Sequence, residues 1–201
     1  MKNAHVKRFL IVLVASGAIA RAQGTFQNWN FELANPGTLT QPPFGPPFAL
    51  NVPVANLLPY WSVYYGNVQQ TLINYNAPSL GSTAVSVVGT ADGAIDGNYS
   101  ALLQGGGTAT SASITQTGLI PAFAEALFFE VGESSSGPFT VSIGSQNIPF
   151  SAVGAGANYT LYGADISAWA DQTEQLTFSS LEGENNVLLL DDIHGQFTKR
   201  F

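Results

Sequence analysis

Short apolar runs set the rhythm of this chain. Val, Ile, Leu, Phe and Tyr cluster in stretches of four to nine residues. Gly, Pro, Asn, Asp and Ser interrupt them at near-regular intervals. No stretch keeps a 3.6-residue period long enough for a helix, whereas several alternate with period two. The pattern predicts strands over 26–33, 61–68, 70–75, 83–88, 99–104, 111–117, 124–131, 139–143, 147–150, 159–166, 175–180 and 187–197. Ser111–Thr117 alternates hydroxyl and amide residues with Ala and Ile, as a half-exposed strand does. Ala124–Val131 and Val187–Leu190 are the most continuous apolar runs and are expected at sheet centres. Residues 35–53 carry Pro42-Pro43-Phe44-Gly45-Pro46-Pro47 and are expected to form a loop, because proline cannot donate to a sheet ladder. Ser167–Asp171 has room for one helical turn, with Ser167 as its N-cap. The expected fold is all-β: a two-sheet antiparallel β-sandwich, a jelly roll of about ten strands.

The first 22 residues follow a different rule. Lys2, Lys7 and Arg8 precede the apolar stretch Phe9–Ala20, and Ala20-Arg21-Ala22 has the small-x-small form of a cleavage site. This reads as a signal peptide, cut near Ala22. Residues 23–201 are then one β-sandwich domain, secreted or held at the cell surface, with no membrane span.

Charge narrows the partners. Beyond residue 22 only Lys199 and Arg200 are cationic, against all 13 Asp and Glu, a formal charge of −11. Such a chain repels phosphate backbones, so no nucleic acid partner is expected. There is no cysteine, which excludes disulfide staples, thiol catalysis and Cys-zinc sites.

Two acidic motifs bracket the mature chain. Glu32 ends Asn28-Trp29-Asn30-Phe31-Glu32, and Asp191-Asp192 lies in Leu189-Leu190-Asp191-Asp192-Ile193. A carboxylate beside apolar strand residues is costly unless paired, and no Lys or Arg lies between residues 22 and 198. Two partners suit them: a bound cation, or backbone N–H groups in turns. Alternation sends one of Asp191 and Asp192 inward and leaves open which; Asp192 is favoured if Leu189 and Ile193 face away from it. Asp92–Asn98 lacks the spacing and closing Glu of a calcium loop and reads as Asx turns.

The ordered motifs resemble the galactose-binding-like jelly roll, a group that includes many carbohydrate-binding modules. The resemblance rests on Asn30-Phe31-Glu32, Leu58-Pro59-Tyr60-Trp61, Asp96-Gly97-Asn98-Tyr99, Asp165-Ile166-Ser167-Ala168-Trp169-Ala170 and Leu190-Asp191-Asp192-Ile193, in that order. It is nearest to exported bacterial proteins with a PEP-CTERM sorting tail, although no such tail follows within these 201 residues. What the resemblance implies is a structural calcium ion held by Glu32 with Asp191 or Asp192, since hard oxygen donors suit calcium.

A carbohydrate or cell-surface glycan is the expected ligand. Tyr64, Tyr65 and Tyr75 are the candidate rings, because a pyranose offers one C–H-rich face to stack on an aromatic. Tyr64 and Tyr65 are adjacent, so on a regular strand one of them points outward. Trp61 and Trp169 read as packing residues. A non-catalytic module is expected: no G-x-S-x-G motif occurs, His194 is the one mature histidine, and no pair of carboxylates is marked as a glycosidase pair. A structural surface or matrix protein without a small ligand is the alternative, and a polysaccharide hydrolase is a third.

Overall fold

A computed structural model describes residues 25–79, 81–107 and 110–197. The expected signal peptide lies outside the described residues. Fourteen strands are described: β1 (Ala49–Pro53), β2 (Ser62–Tyr65), β3 (Val68–Gln70), β4 (Leu72–Tyr75), β5 (Ala84–Gly89), β6 (Tyr99–Gln104), β7 (Ala112–Leu119), β8 (Ala124–Gly132), β9 (Phe139–Ile143), β10 (Gln146–Asn147), β11 (Ser151–Ala155), β12 (Tyr159–Asp165), β13 (Thr173–Ser180) and β14 (Val187–Phe197). They form an eight-stranded sheet, β1-β4-β5-β6-β14-β8-β12-β11, and a six-stranded sheet, β10-β9-β13-β7-β2-β3. The sheets pack face to face as an all-β sandwich.

From β6 onward the chain crosses between the sheets repeatedly. The inner order is β6-β14-β8-β12 opposite β7-β13-β9-β10, the strand order of a jelly roll. The earlier strands widen both sheets: β1, β4 and β5 extend one beside β6, while β2 and β3 extend the other beside β7. β4 and β5 make the one parallel pairing among the described strands. β14 lies centrally between β6 and β8, as its apolar run requires.

Alternation along each strand builds the core. Val63, Ile114, Leu176, Phe178, Val141 and Ile143 point inward from the six-stranded sheet; Val85, Val87, Leu103, Leu188, Leu190, Leu127 and Phe129 point inward from the other. Phe129 sits in an aromatic cluster, with Phe178, Phe150 and Tyr162 at ring-centroid distances of 5.2, 5.6 and 5.6 Å. Trp61 is buried in this core and Trp169 packs against it.

Several sequence expectations are corrected. Residues 26–33 form turns rather than a strand, with φ of 51° at Asn28 and 58° at Phe31. The Asn28 side chain organises the turns: its amide donates to Pro59 O and its carbonyl accepts from Leu33 N–H. Gln116 takes the place of a strand partner, exchanging hydrogen bonds of 2.6 and 2.9 Å with the backbone of Gln27. The Pro-rich region ends in β1, a strand tolerated because it is a sheet edge and Pro53 is its last residue. The runs 61–68 and 70–75 resolve into three strands, broken by the Gly66-Asn67 turn and by Thr71. Beyond Asn147 the expected strand gives way to β11, which pairs with β12. The 3₁₀ turn Ser167–Trp169 is capped from outside: Asp165 Oδ1 accepts from Ser167 N–H at 2.9 Å and from its hydroxyl at 2.7 Å.

Candidate functional site

The acidic motifs converge on one turn. Residues 90–98 fold over the outer face of the eight-stranded sheet and seat Ile95 with Val88, Leu102 and Leu189 in a small apolar cluster separate from the main core. Glu32 grips the end of this segment from one side. Its Oε1 accepts from Asn98 N–H at 2.7 Å and Tyr99 N–H at 3.0 Å, and its Oε2 from the Asn98 amide at 2.8 Å. Gly97, with φ of 56°, lies so close to this carboxylate that a Cβ would collide with it. Asp191 grips the segment from beneath. Its Oδ2 accepts from the Ser100 hydroxyl at 2.5 Å and Asp96 N–H at 3.3 Å; its Oδ1 accepts from Asp192 N–H at 2.8 Å. The same Ser100 oxygen accepts from Ile95 N–H at 2.8 Å.

Asp191 is the buried member of the Asp pair, 1% exposed. Asp192 faces solvent, because an irregularity between Asp191 and His194 breaks the alternation and puts Asp192 at φ 34°. Burial pushes the Asp191 carboxyl up to about 7, against the opposing pull of its Ser100 and backbone donors. Glu130 lies directly across from Asp191 on β8 and is also raised by burial. Its Oε2 has no hydrogen-bond partner. Nothing in the sequence singles out Glu130, which reads as one more residue of an apolar strand.

Glu32 and Asp191 meet the 90–98 segment at different points. Among the described residues no three His, Cys, Asp or Glu side chains group so as to hold a metal ion. Glu32 and Asp191 already accept N–H and O–H donors on both oxygens. That donor set suits a latch made of hydrogen bonds. His194 is half-exposed beside Asp192, with Nδ1 3.4 Å from Oδ2, and stacks on Phe128 at 5.4 Å.

The candidate tyrosines separate by strand position. Tyr75 is 8% exposed and packs edge-on against Tyr99 at 6.1 Å; it is a core residue, not a ligand platform. On β2, Val63 points into the core and Tyr64 points outward. Tyr65 turns back in, half-buried, with its hydroxyl oxygen accepting from Val85 N–H at 3.1 Å. Burial raises its phenol pKa.

Tyr64 stands over an uncharged surface. Opposed positions on β9, β13, β7 and β2 form two cross-strand rows on the outer face of the six-stranded sheet. One row is Ser142, Thr177, Thr115 and Ser62; the other is Thr140, Ser179, Ser113 and Tyr64. All eight carry a hydroxyl. Rows are spaced about 7 Å along the strands, and neighbours within a row stand about 4.8 Å apart. Tyr64, Asn67, Gln175 and Thr177 wall a trough of about 320 Å³ whose floor is Ser113 and Thr115. Neighbouring Gln69 pairs with Tyr64.

No protein-family model matches the chain, and no curated protein matches it. The chemistry of these surfaces therefore carries the functional argument.

Proposed function

We propose that the protein is an exported, non-catalytic module that binds a neutral carbohydrate in the trough beside Tyr64. The observation that carries this reading is the combination of one outward ring with a floor and walls of hydroxyl and amide groups and no charged side chain. A sugar presents both donors and acceptors, which Ser, Thr, Asn and Gln can match. Its C–H face stacks on the ring. No Lys or Arg occurs among the described residues, which favours an uncharged glycan over a uronic or sulfated one. Export rests on the N-terminal sequence pattern.

Affinity electrophoresis through gels containing soluble neutral polysaccharides tests the proposal. The wild-type chain is expected to be retarded by at least one of them, and Tyr64→Ala to lose that retardation. Equal retardation of the two proteins, or none in any neutral polysaccharide, overturns it.

A structural matrix role has one observation in its favour. β11 is a sheet edge with all five residues exposed and neither charge nor proline among them. Such an edge can accept another strand. Concentration-dependent assembly in light scattering, lost in Val153→Lys, would favour that role.

A further inference from the structure

The larger concavity is on the other side of β2. β3 and β4 belong to different sheets, and the single residue Thr71 links them. The sheets are joined at that point, and a cleft of about 510 Å³ lies beside the junction. Its lining includes Asn51, Tyr65, Gln69, Gln70, Thr71 and Asn74, and it carries no charge. This volume falls within the range of about 300–1,000 Å³ usual for small-molecule sites.

Three features show a site with oriented groups. Asn51 has φ of 54° and sits where the β1–β4 register shifts. A bulge of this kind re-aims a side chain, and strained non-glycine residues concentrate at binding sites. The Asn51 N–H donates to Asn74 Oδ1 at 3.2 Å, which leaves the Asn74 amide N–H groups to serve as donors. Gln70 Nε2 donates to Val68 O at 2.9 Å, which leaves Gln70 Oε1 as an acceptor. Val68 and Leu72, 66% and 46% exposed, supply apolar surface at the same place.

We infer that this inter-sheet cleft is a second saccharide site, taking a neutral unit of one or two sugars, while the trough takes an extended chain. The inference rests on the reading that the protein binds neutral carbohydrate. The fixed amides read ring hydroxyls, and the Val68 and Leu72 side chains cover a C–H face. Gln69 lines the cleft and also pairs with Tyr64 of the trough. A bound polymer can thus pass over β3, a three-residue edge strand, with its end in the cleft.

Calorimetric titration of the full chain with cellobiose, lactose and mannobiose, alongside the polysaccharide gels, tests this. Asn51→Gly is the first variant, because glycine accepts the positive φ and removes the amide; Gln70→Ala is the second. At least one disaccharide is expected to bind, tenfold or more weakly in both variants, with polysaccharide retardation kept. Tyr64→Ala is expected to do the reverse. The inference is overturned if the wild-type chain binds polysaccharide but no disaccharide, or if disaccharide binding survives both cleft variants and disappears in Tyr64→Ala; either result leaves the trough reading standing. Absence of binding to both kinds of probe overturns the carbohydrate reading itself, and the cleft proposal with it.

Discussion

The two outer faces of the sandwich use polar residues in opposite ways. On the eight-stranded sheet, carboxylates are placed under or against the 90–98 segment, and Glu32 and Asp191 are saturated by donors from the chain itself. On the six-stranded sheet, hydroxyls stand in cross-strand rows and line an open trough together with amides, and Tyr64 rises beside them. A carboxylate in a chain with almost no cations must find N–H and O–H donors, so it becomes a structural latch. A neutral hydroxyl can satisfy itself with water and exchange that water for a ligand at little cost. The contrast teaches that charge here marks where the fold is held, and its absence marks where a ligand can be received.

The most disruptive way to probe the contrast is Ser100→Ala. It removes the oxygen that accepts from Ile95 and the hydroxyl that donates to Asp191. Two buried groups then lose a partner, each costing about 1–3 kcal/mol. At about 2–6 kcal/mol for the two together, the melting temperature is expected to fall by about 4–24 °C, at about 2–4 °C per kcal/mol for a domain of this size. A fall under 2 °C would show that the latch does not hold the segment.

Next in size is the pH response. The Asp191 carboxyl is raised by burial to about 7 from 3.8, so the native state binds this proton more tightly than the unfolded chain. The contribution is full below the unfolded value and is lost as pH rises through 7. Melting temperature is expected to rise as pH drops from 8 to 5, and Asp191→Asn to flatten that slope. A slope of opposite sign, or one unchanged in Asp191→Asn, would contradict the assignment. In parallel, millimolar calcium or a chelator is expected to leave the melting temperature unchanged at pH 7.5. A rise with calcium would show that these carboxylates rearrange to ligate metal.

Glu32→Ala comes third, at about 1 kcal/mol, because the N–H groups it releases at Asn98 and Tyr99 lie near water. Denaturant titration should show a lower midpoint with an unchanged slope. Smallest is Thr177→Val in the trough. It is expected to move stability by no more than about 0.5 kcal/mol while weakening polysaccharide retardation. Loss of stability comparable to Ser100→Ala would show that the hydroxyl rows are structural too, and the contrast between the faces would disappear.

Much of the fold was legible because strands report themselves locally. The β6 and β14 bounds follow from their apolar runs, and β8 and β14 are central because they lack polar alternation. The first motif was misread for a physical reason: 26–33 has strand-like composition, but Asn28 and Phe31 adopt left-handed turns stabilised by partners at Pro59 and Gln116, far away in sequence. Tyr64 and Tyr65 had to diverge, since adjacent strand residues face opposite ways; which ring faced solvent depended on Val63 joining the core. Asn51, Gln70 and Asn74 carried no signal, because their shared cleft exists only where one sheet ends and the other begins.

By itself, then, the sequence determined the all-β class, the crossing pattern's raw material of short strands, and a chain that beyond residue 22 is acidic or neutral and almost never basic. Period-two alternation, turn residues and composition act within a few residues of each other and need no knowledge of the fold. Tertiary structure alone decided that Asp191 rather than Asp192 is buried, that Glu130 opposes it, and that Glu32 clasps a turn more than sixty residues away. The first two depend on strand register and on a local irregularity in β14; the third depends on the turns of residues 26–33. A single-residue shift in register exchanges the two faces of a strand, and only the packed sandwich selects among those registers.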